Sequence, residues 1–264
     1  MQKKFIIAST NENKVREFQT MLKPLGIKVV PYKDVIKGQF EVEETGKTFA
    51  DNAKLKAEAI CEKTGLPTFA DDSGFCVKDL AGFPGVRSAR FAEEVGGYDN
   101  AFEDIKKRLN GRCSEAKFVC NIAFARKGEK TVQFEGKCYG FTVFPPRGEN
   151  GFGYDSIFVP NSFGKTFAEM DESEKNSISH RSVATLKFVD FITELSKEAE
   201  KKATVKPLKT KATKIDAKIE EASLVVEVKK EKEVVLDDNA FNIEVDEKFV
   251  APEVPFLSES DEKK

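Results

Sequence analysis

Two short apolar runs bracket an amphipathic helix within the first 31 residues, and that order constrains the fold of this chain more than any other stretch. Lys4 to Ala8 reads as a strand. Ser9-Thr10-Asn11 carry helix-capping chemistry, and Val15, Phe18, Met21 and Leu22 then fall on one face of a helix. Gly26 closes that helix, and Ile27 to Pro31 forms a second strand. A β-α-β opening favours an α/β sheet covered by helices.

The pattern continues. A helix is predicted from Thr48, its cap, to Thr64, with Phe49, Ala53, Ala57 and Ile60 on one stripe and Gly65-Leu66-Pro67 as the stop. Thr68 to Gly74 reads as an apolar run ending in an Asp-Asp-Ser-Gly turn, with a strand resuming from Phe75 to Leu80. Asp99 to Leu109 follows as a helix. Ala116 to Arg126 and Thr131 to Tyr139, joined by a four-residue polar connection, form a hairpin. A Pro/Gly-rich loop from Pro145 to Tyr154 leads to a short strand at 157–159 and a last helix from about Ser179 to Leu195.

After Leu195 the composition changes. Residues 197–264 hold neither glycine nor tyrosine and alternate Lys/Glu blocks with short β-branched patches. So little apolar area does not offset ordering entropy, so the expected organisation is a domain over 1–196 and a charged, disordered tail over 197–264 whose partner the sequence does not name.

Charge excludes other classes. The 43 Lys plus Arg against 45 Asp plus Glu leave a net charge of -2, which gives no electrostatic case for a nucleic-acid or membrane surface. No run approaches the roughly 20 apolar residues of a membrane span. The five cysteines are odd in number and form no C-x-x-C, which reads as reduced thiols in a cytoplasmic protein.

The chemistry centres on Asp71 and Asp72. Neighbouring side chains of an extended segment point to opposite faces, so one carboxylate can brace the backbone while the other faces a cleft. Both stay ionised only with a compensating cation, donors or water, which suits a divalent metal and an activated water. The alternative is a plain turn. Ser9-Thr10-Asn11-Glu12-Asn13-Lys14 places a helix start and a lysine where anions are attracted; simple N-capping is the other reading. Glu43 and Glu44 precede the second helix, which carries Lys56, and either can add an oxygen ligand or complement the helix dipole. Gly151-Phe152-Gly153-Tyr154-Asp155 offers a ring on which a base can stack and a carboxylate to read a ring N–H, or a tight turn around a buried aromatic. His180, the only histidine, stands beside Arg181 and near Lys175, a cationic cluster suited to phosphate or a carbonyl. Neither a Walker P-loop nor G-x-G-x-x-G is present. Together these features compose a nucleotide site.

In these segments, with Phe49 through Lys56, Ala70-Asp71-Asp72-Ser73-Gly74, Pro84-Gly85-Val86 and Ser88-Ala89-Arg90, the chain resembles the inosine triphosphate pyrophosphatase (Ham1-like) family over roughly residues 1–196. The resemblance implies a long curved mixed sheet with helices in two lobes around a nucleotide cleft, usually in a homodimer. It implies magnesium-dependent hydrolysis of dITP, ITP and XTP to monophosphate and pyrophosphate. Asp72 matches the general base and a metal residue, and Glu43 the other metal residue. Ser9 through Lys14, Lys56, Ser73 and Lys175 match triphosphate or sugar contacts; Phe152, Gly153, Tyr154, Asp155, His180 and Arg181 match the base pocket. Arg87, Asn150 and Ser156 depart from the usual pattern. Two other functions compete: a pyrophosphatase for other modified nucleotides, and a nucleotide-sensing module without catalysis.

Overall fold

β1 (Lys3–Ile7), α1 (Glu12–Leu22) and β2 (Ile27–Pro31) build the expected opening in the computed structural model, which describes residues 3–38 and 40–204. β1 and β2 pair in parallel, Phe5 opposite Val29. Asn11 caps α1 by accepting the Lys14 backbone N–H at 3.1 Å. α2 (Phe49–Thr64) starts with a reciprocal capping box between Thr48 and Asp51 and ends at Gly65, whose φ of 69° suits glycine.

β3 (Thr68–Val77) corrects the expected turn. The Asp-Asp-Ser-Gly segment is the middle of a ten-residue strand, paired antiparallel with β4 (Glu115–Ala125) so that Asp71 faces Ile122 and Asp72 faces Asn121. The ladder satisfies the backbone and cations compensate Asp71, so no turn is needed. Gly74 serves close packing instead: a Cβ there would lie 2.6 Å from Ser88 Oγ and 2.9 Å from a Phe49 ring carbon. Gly74→Ala is expected to destabilise by about 1–3 kcal/mol, the usual cost of overpacking, read as a lower urea midpoint.

β4, β5 (Val132–Thr142) and β6 (Phe158–Pro160) complete a sheet of order β2-β1-β3-β4-β5-β6, parallel on the β2 side of β3 and antiparallel beyond it. The sequence pattern missed α3 (Ser88–Glu94) and α5 (Glu172–Ile178), each of seven residues and too short to show a helical period. α4 (Tyr98–Arg108) falls close to its predicted place. α6 (His180–Thr204) runs past the expected end near Leu195, and Ser196 is buried on it; the disordered tail expected beyond it lies, from residue 205, outside the described residues.

Three apolar clusters hold the sheet. Ala53, Ala57 and Ile60 of α2 pack on Ala70 and Ala123. On the opposite face Phe18, Phe69, Phe124 and Phe188 join α1 and α6 to the strands, with Phe18 and Phe69 edge-to-face at 5.1 Å. Phe75, Phe118, Phe158 and the α3–α4 residues Phe91 and Phe102 form the third cluster. α6 lies directly on β5 at Gly136, where a Cβ would come within 2.5 Å of the Ala184 nitrogen.

Candidate active site

The pleat of β3 sends its two adjacent aspartates to different partners. Asp71, fully buried, points toward α1 and α6: it pairs with Lys14 Nζ and with Arg181 Nε at 3.3 Å, and accepts from Ser73 Oγ at 3.1 Å and the Cys120 thiol at 2.9 Å. Burial alone would raise its pKa, but Arg181 and Lys14 outweigh burial and hold the carboxyl well below its ordinary range. Burial and the neighbouring Asp71 charge keep the Cys120 thiol protonated.

Asp72 points toward α2. Asn52 Nδ2 donates to it at 3.2 Å and Lys56 Nζ at 3.4 Å. Lys56 is engaged more tightly elsewhere, by Glu44 at 2.7 Å and the Asp71 carbonyl at 2.9 Å. Burial therefore prevails at Asp72: its pKa is raised, Lys56 and Lys14 oppose the shift, and Glu44 and Asp71 add to it. Burial acts on Glu44 too, but Lys56 and then Lys14 and Arg90 bring its pKa below the usual value.

At the other end, the loop after β5 folds back on itself. Asp155 accepts the Phe152 backbone N–H at 2.8 Å and Lys175 Nζ at 2.7 Å. Its carboxylate thus braces the loop and a lysine, where the sequence offered it as a reader of a ring N–H. Lys175 also reaches Glu17 at 2.9 Å and lies over the Phe152 ring, 4.8 Å from its centroid. The Tyr154 ring stacks on Phe75 and its hydroxyl donates to the Ser88 carbonyl at 2.8 Å, making it a core residue at the cleft wall. His180 stacks on Phe118 at 4.8 Å. Burial, with Arg181 and Lys175 nearby, pushes its pKa well below the ordinary value, so the ring is neutral, and its Nδ1 has no hydrogen-bond partner among the described residues.

These elements enclose a cleft of about 400 Å³. Ser9, Thr10, Asn11, Lys14, Lys56, Asp72, Ser73, Phe152, Gly153, Tyr154, Asp155, Lys175, His180 and Arg181 all line it. Three expected residues do not. Glu12 is exposed at the start of α1, Asn13 accepts from Arg16 at 3.0 Å, and Glu43 is exposed while Glu44 takes the wall position.

Two contributors escaped sequence reasoning. Glu17 is buried between Lys175 and Arg181, joined to both, and their charges outweigh burial to keep its pKa low. The available signal was an acid sharing a helix face with Lys14 three residues earlier and bordering the apolar stripe. Asn52 both holds Asp72 and accepts the Gly46 N–H at 2.8 Å; an asparagine inside a helix announced no such role.

A mixed sheet with a carboxylate pair at its centre and cations at both ends of one cleft defines an α/β protein built around an anionic ligand. The model of the Ham1 family matches residues 5–191, and the chain belongs to that family. It is 44% identical over 188 residues to a dITP/XTP pyrophosphatase of Bacillus licheniformis, covering 70% of this chain and 95% of that protein. It is 42% identical to a dITP/XTP pyrophosphatase of Bacillus subtilis, covering 71% and 96%. Among solved structures, the Staphylococcus aureus Ham1 protein superposes with a TM-score of 0.66 at 36% identity, covering 73% of this chain and 99% of that one. A HAM1 protein from Coxiella burnetii gives 0.65 at 36% identity, with the same coverage.

Proposed function

We propose that this chain hydrolyses non-standard purine nucleoside triphosphates (dITP, ITP and XTP) to the monophosphate and pyrophosphate, clearing them from the nucleotide pool. The observation that carries this reading is the asymmetry of the aspartate pair. Asp71 is fully neutralised, whereas Asp72 lines the cleft under-compensated and with a raised pKa. A carboxylate in that state is a competent base for water. Lys14, at the first turn of α1, and Lys56 supply positive potential for the phosphates. Asp72 takes the proton from a water aligned with the α-phosphorus, so pyrophosphate leaves without a covalent enzyme intermediate.

Magnesium fits the donor set. Asp72 and Glu44, which share Lys56, would hold it. Among the described residues no group of three or more His, Cys, Asp and Glu is arranged for a metal, so phosphate oxygens and water would complete the shell, as is usual for this ion. When bound it neutralises phosphate charge and activates water. At the base end, Phe152 offers a stacking ring, while Lys175, Arg181 and the neutral His180 create surroundings that favour a 6-oxygen acceptor over a 6-amino group.

The same reading includes a cytoplasmic homodimer. The five cysteines are free thiols, as a reducing compartment requires. Exposed Tyr139 and Phe141 on β5 offer apolar surface to a second copy. Among the described residues no helix is long and apolar enough to cross a membrane.

A pyrophosphate-release assay tests the function. Turnover of dITP and XTP is expected to exceed that of dATP by about 10²-fold or more and to vanish when magnesium is chelated. Equal turnover of dATP overturns the assignment.

A further inference from the structure

Three tyrosines line the cleft, and two of them spend their hydroxyls on the protein. Tyr154 donates to the Ser88 carbonyl at 2.8 Å and Tyr32 to the Phe40 carbonyl at 3.1 Å. Tyr98, the first residue of α4, is different: among the described residues its hydroxyl has no hydrogen-bond partner, and the side chain is 38% exposed. The ring itself is well placed. It stands edge-on to Tyr154 at 5.4 Å and tilted to Phe102 at 6.3 Å, and Phe102 in turn meets Tyr154 at 5.9 Å.

The ring also stands beside the loop carrying Phe152: a Cβ built at Gly153 would be in ordinary van der Waals contact, 3.8–4.0 Å, with Tyr98 Cε1, Oη and Cζ. The phenol thus sits against the same loop that braces Phe152 through Asp155. Partial burial, then Glu93 and Asp155, raise the Tyr98 pKa, so the hydroxyl keeps its proton and remains a donor across neutral pH. Glu93, also lining the cleft, places a negative charge beside it that disfavours phosphate at this end. An apolar ring fixed on one side with a free polar tip is the usual anatomy of a tyrosine that recognises a ligand.

We propose that Tyr98 is a specificity-determining residue that walls the base end of the cleft and donates its hydroxyl to the 2-oxo group of a xanthine base. The inference rests on the nucleotide assignment above and deepens it. Xanthine carries a 2-oxygen that accepts this proton, whereas hypoxanthine has only hydrogen at that position. The hydroxyl therefore favours XTP over ITP, and the ring contributes to both.

The test compares kcat and KM of wild type, Tyr98→Phe and Tyr98→Ala on XTP, ITP and dITP, with melting temperatures as a check on folding. Tyr98→Phe is expected to lower kcat/KM for XTP by about five- to tenfold, the scale of one hydrogen bond, through KM, and to leave ITP within about twofold. Tyr98→Ala is expected to raise KM on all three. Equal effects of Tyr98→Phe on XTP and ITP overturn the base assignment. So does a change confined to the ITP/dITP ratio, which would place the hydroxyl on the ribose. Wild-type enzyme inactive on all three substrates would instead sink the functional assignment, and this inference with it.

Discussion

Asp72→Asn is expected to lower kcat by at least about 10²-fold, the lower range for loss of a general base, while the protein still binds an inosine triphosphate analogue with a non-hydrolysable α,β linkage. The amide keeps the shape and can still accept from Asn52 at its oxygen, but it cannot take a proton from water. Stability should hold or improve. In the folded protein the Asp72 pKa is raised by burial, so its ionisation costs stability above its unfolded value, and the neutral amide removes that cost. For the same reason the acid limb of kcat/KM, which reports the free enzyme, should lie above the ordinary carboxylate range of about 4. Stopped-assay kinetics, analogue binding by calorimetry and urea titration check the three expectations. Near-normal turnover in the variant rejects Asp72 as the base.

Asp71→Ala, one residue away, should do the opposite. Removing this carboxylate leaves Arg181 and Lys14 without their shared buried partner, and breaking such a pair typically costs about 3–5 kcal/mol. Cys120 and Ser73 lose their acceptor as well. The folded-state pKa of Asp71 lies below its ordinary value of 3.8, so its stabilisation is complete above that value and fades as pH falls through the folded pKa. The gap between wild type and variant in urea midpoint should therefore be full at pH 7 and narrow below about pH 4. A constant gap, or none at pH 7, would show that Asp71 is not the electrostatic keystone of the site. Two neighbours of identical chemistry thus have opposite consequences, because the strand turns one toward four donors and the other toward a lysine already engaged.

The β-α-β opening, the capped second helix and the hairpin were legible because each combines a periodic apolar pattern with local stop signals, such as Gly26, Gly65 and the polar 127–130 connection. Seven-residue helices such as α3 and α5 present fewer than two full turns and give no period to read. The strand through Asp71 and Asp72 was read as a turn, since local composition cannot register Lys14, Lys56 and Arg181 arriving from three helices to compensate it. Most of the candidate residues that meet in the cleft were legible as motifs, but their partners were not. Glu17 and Lys175 meet across 158 positions of sequence, and nothing local to either announces the other. The exchange of Glu43 for Glu44 at the cleft wall has a similar origin: both acids satisfy the same pattern, and only the path of the backbone decides which one turns inward.

Gly136 adds a consequence for how selectivity can drift. The first turn of α6, bearing His180 and Arg181, rests on β5 with nothing but hydrogen between the two backbones. The height of the pocket floor is thus set by main-chain contact, by a residue absent from the cavity wall. Change in the cleft is then divided into two regimes: side chains on the rim can vary singly and by degrees, whereas the floor moves only as a rigid slab, carrying His180 and Arg181 together.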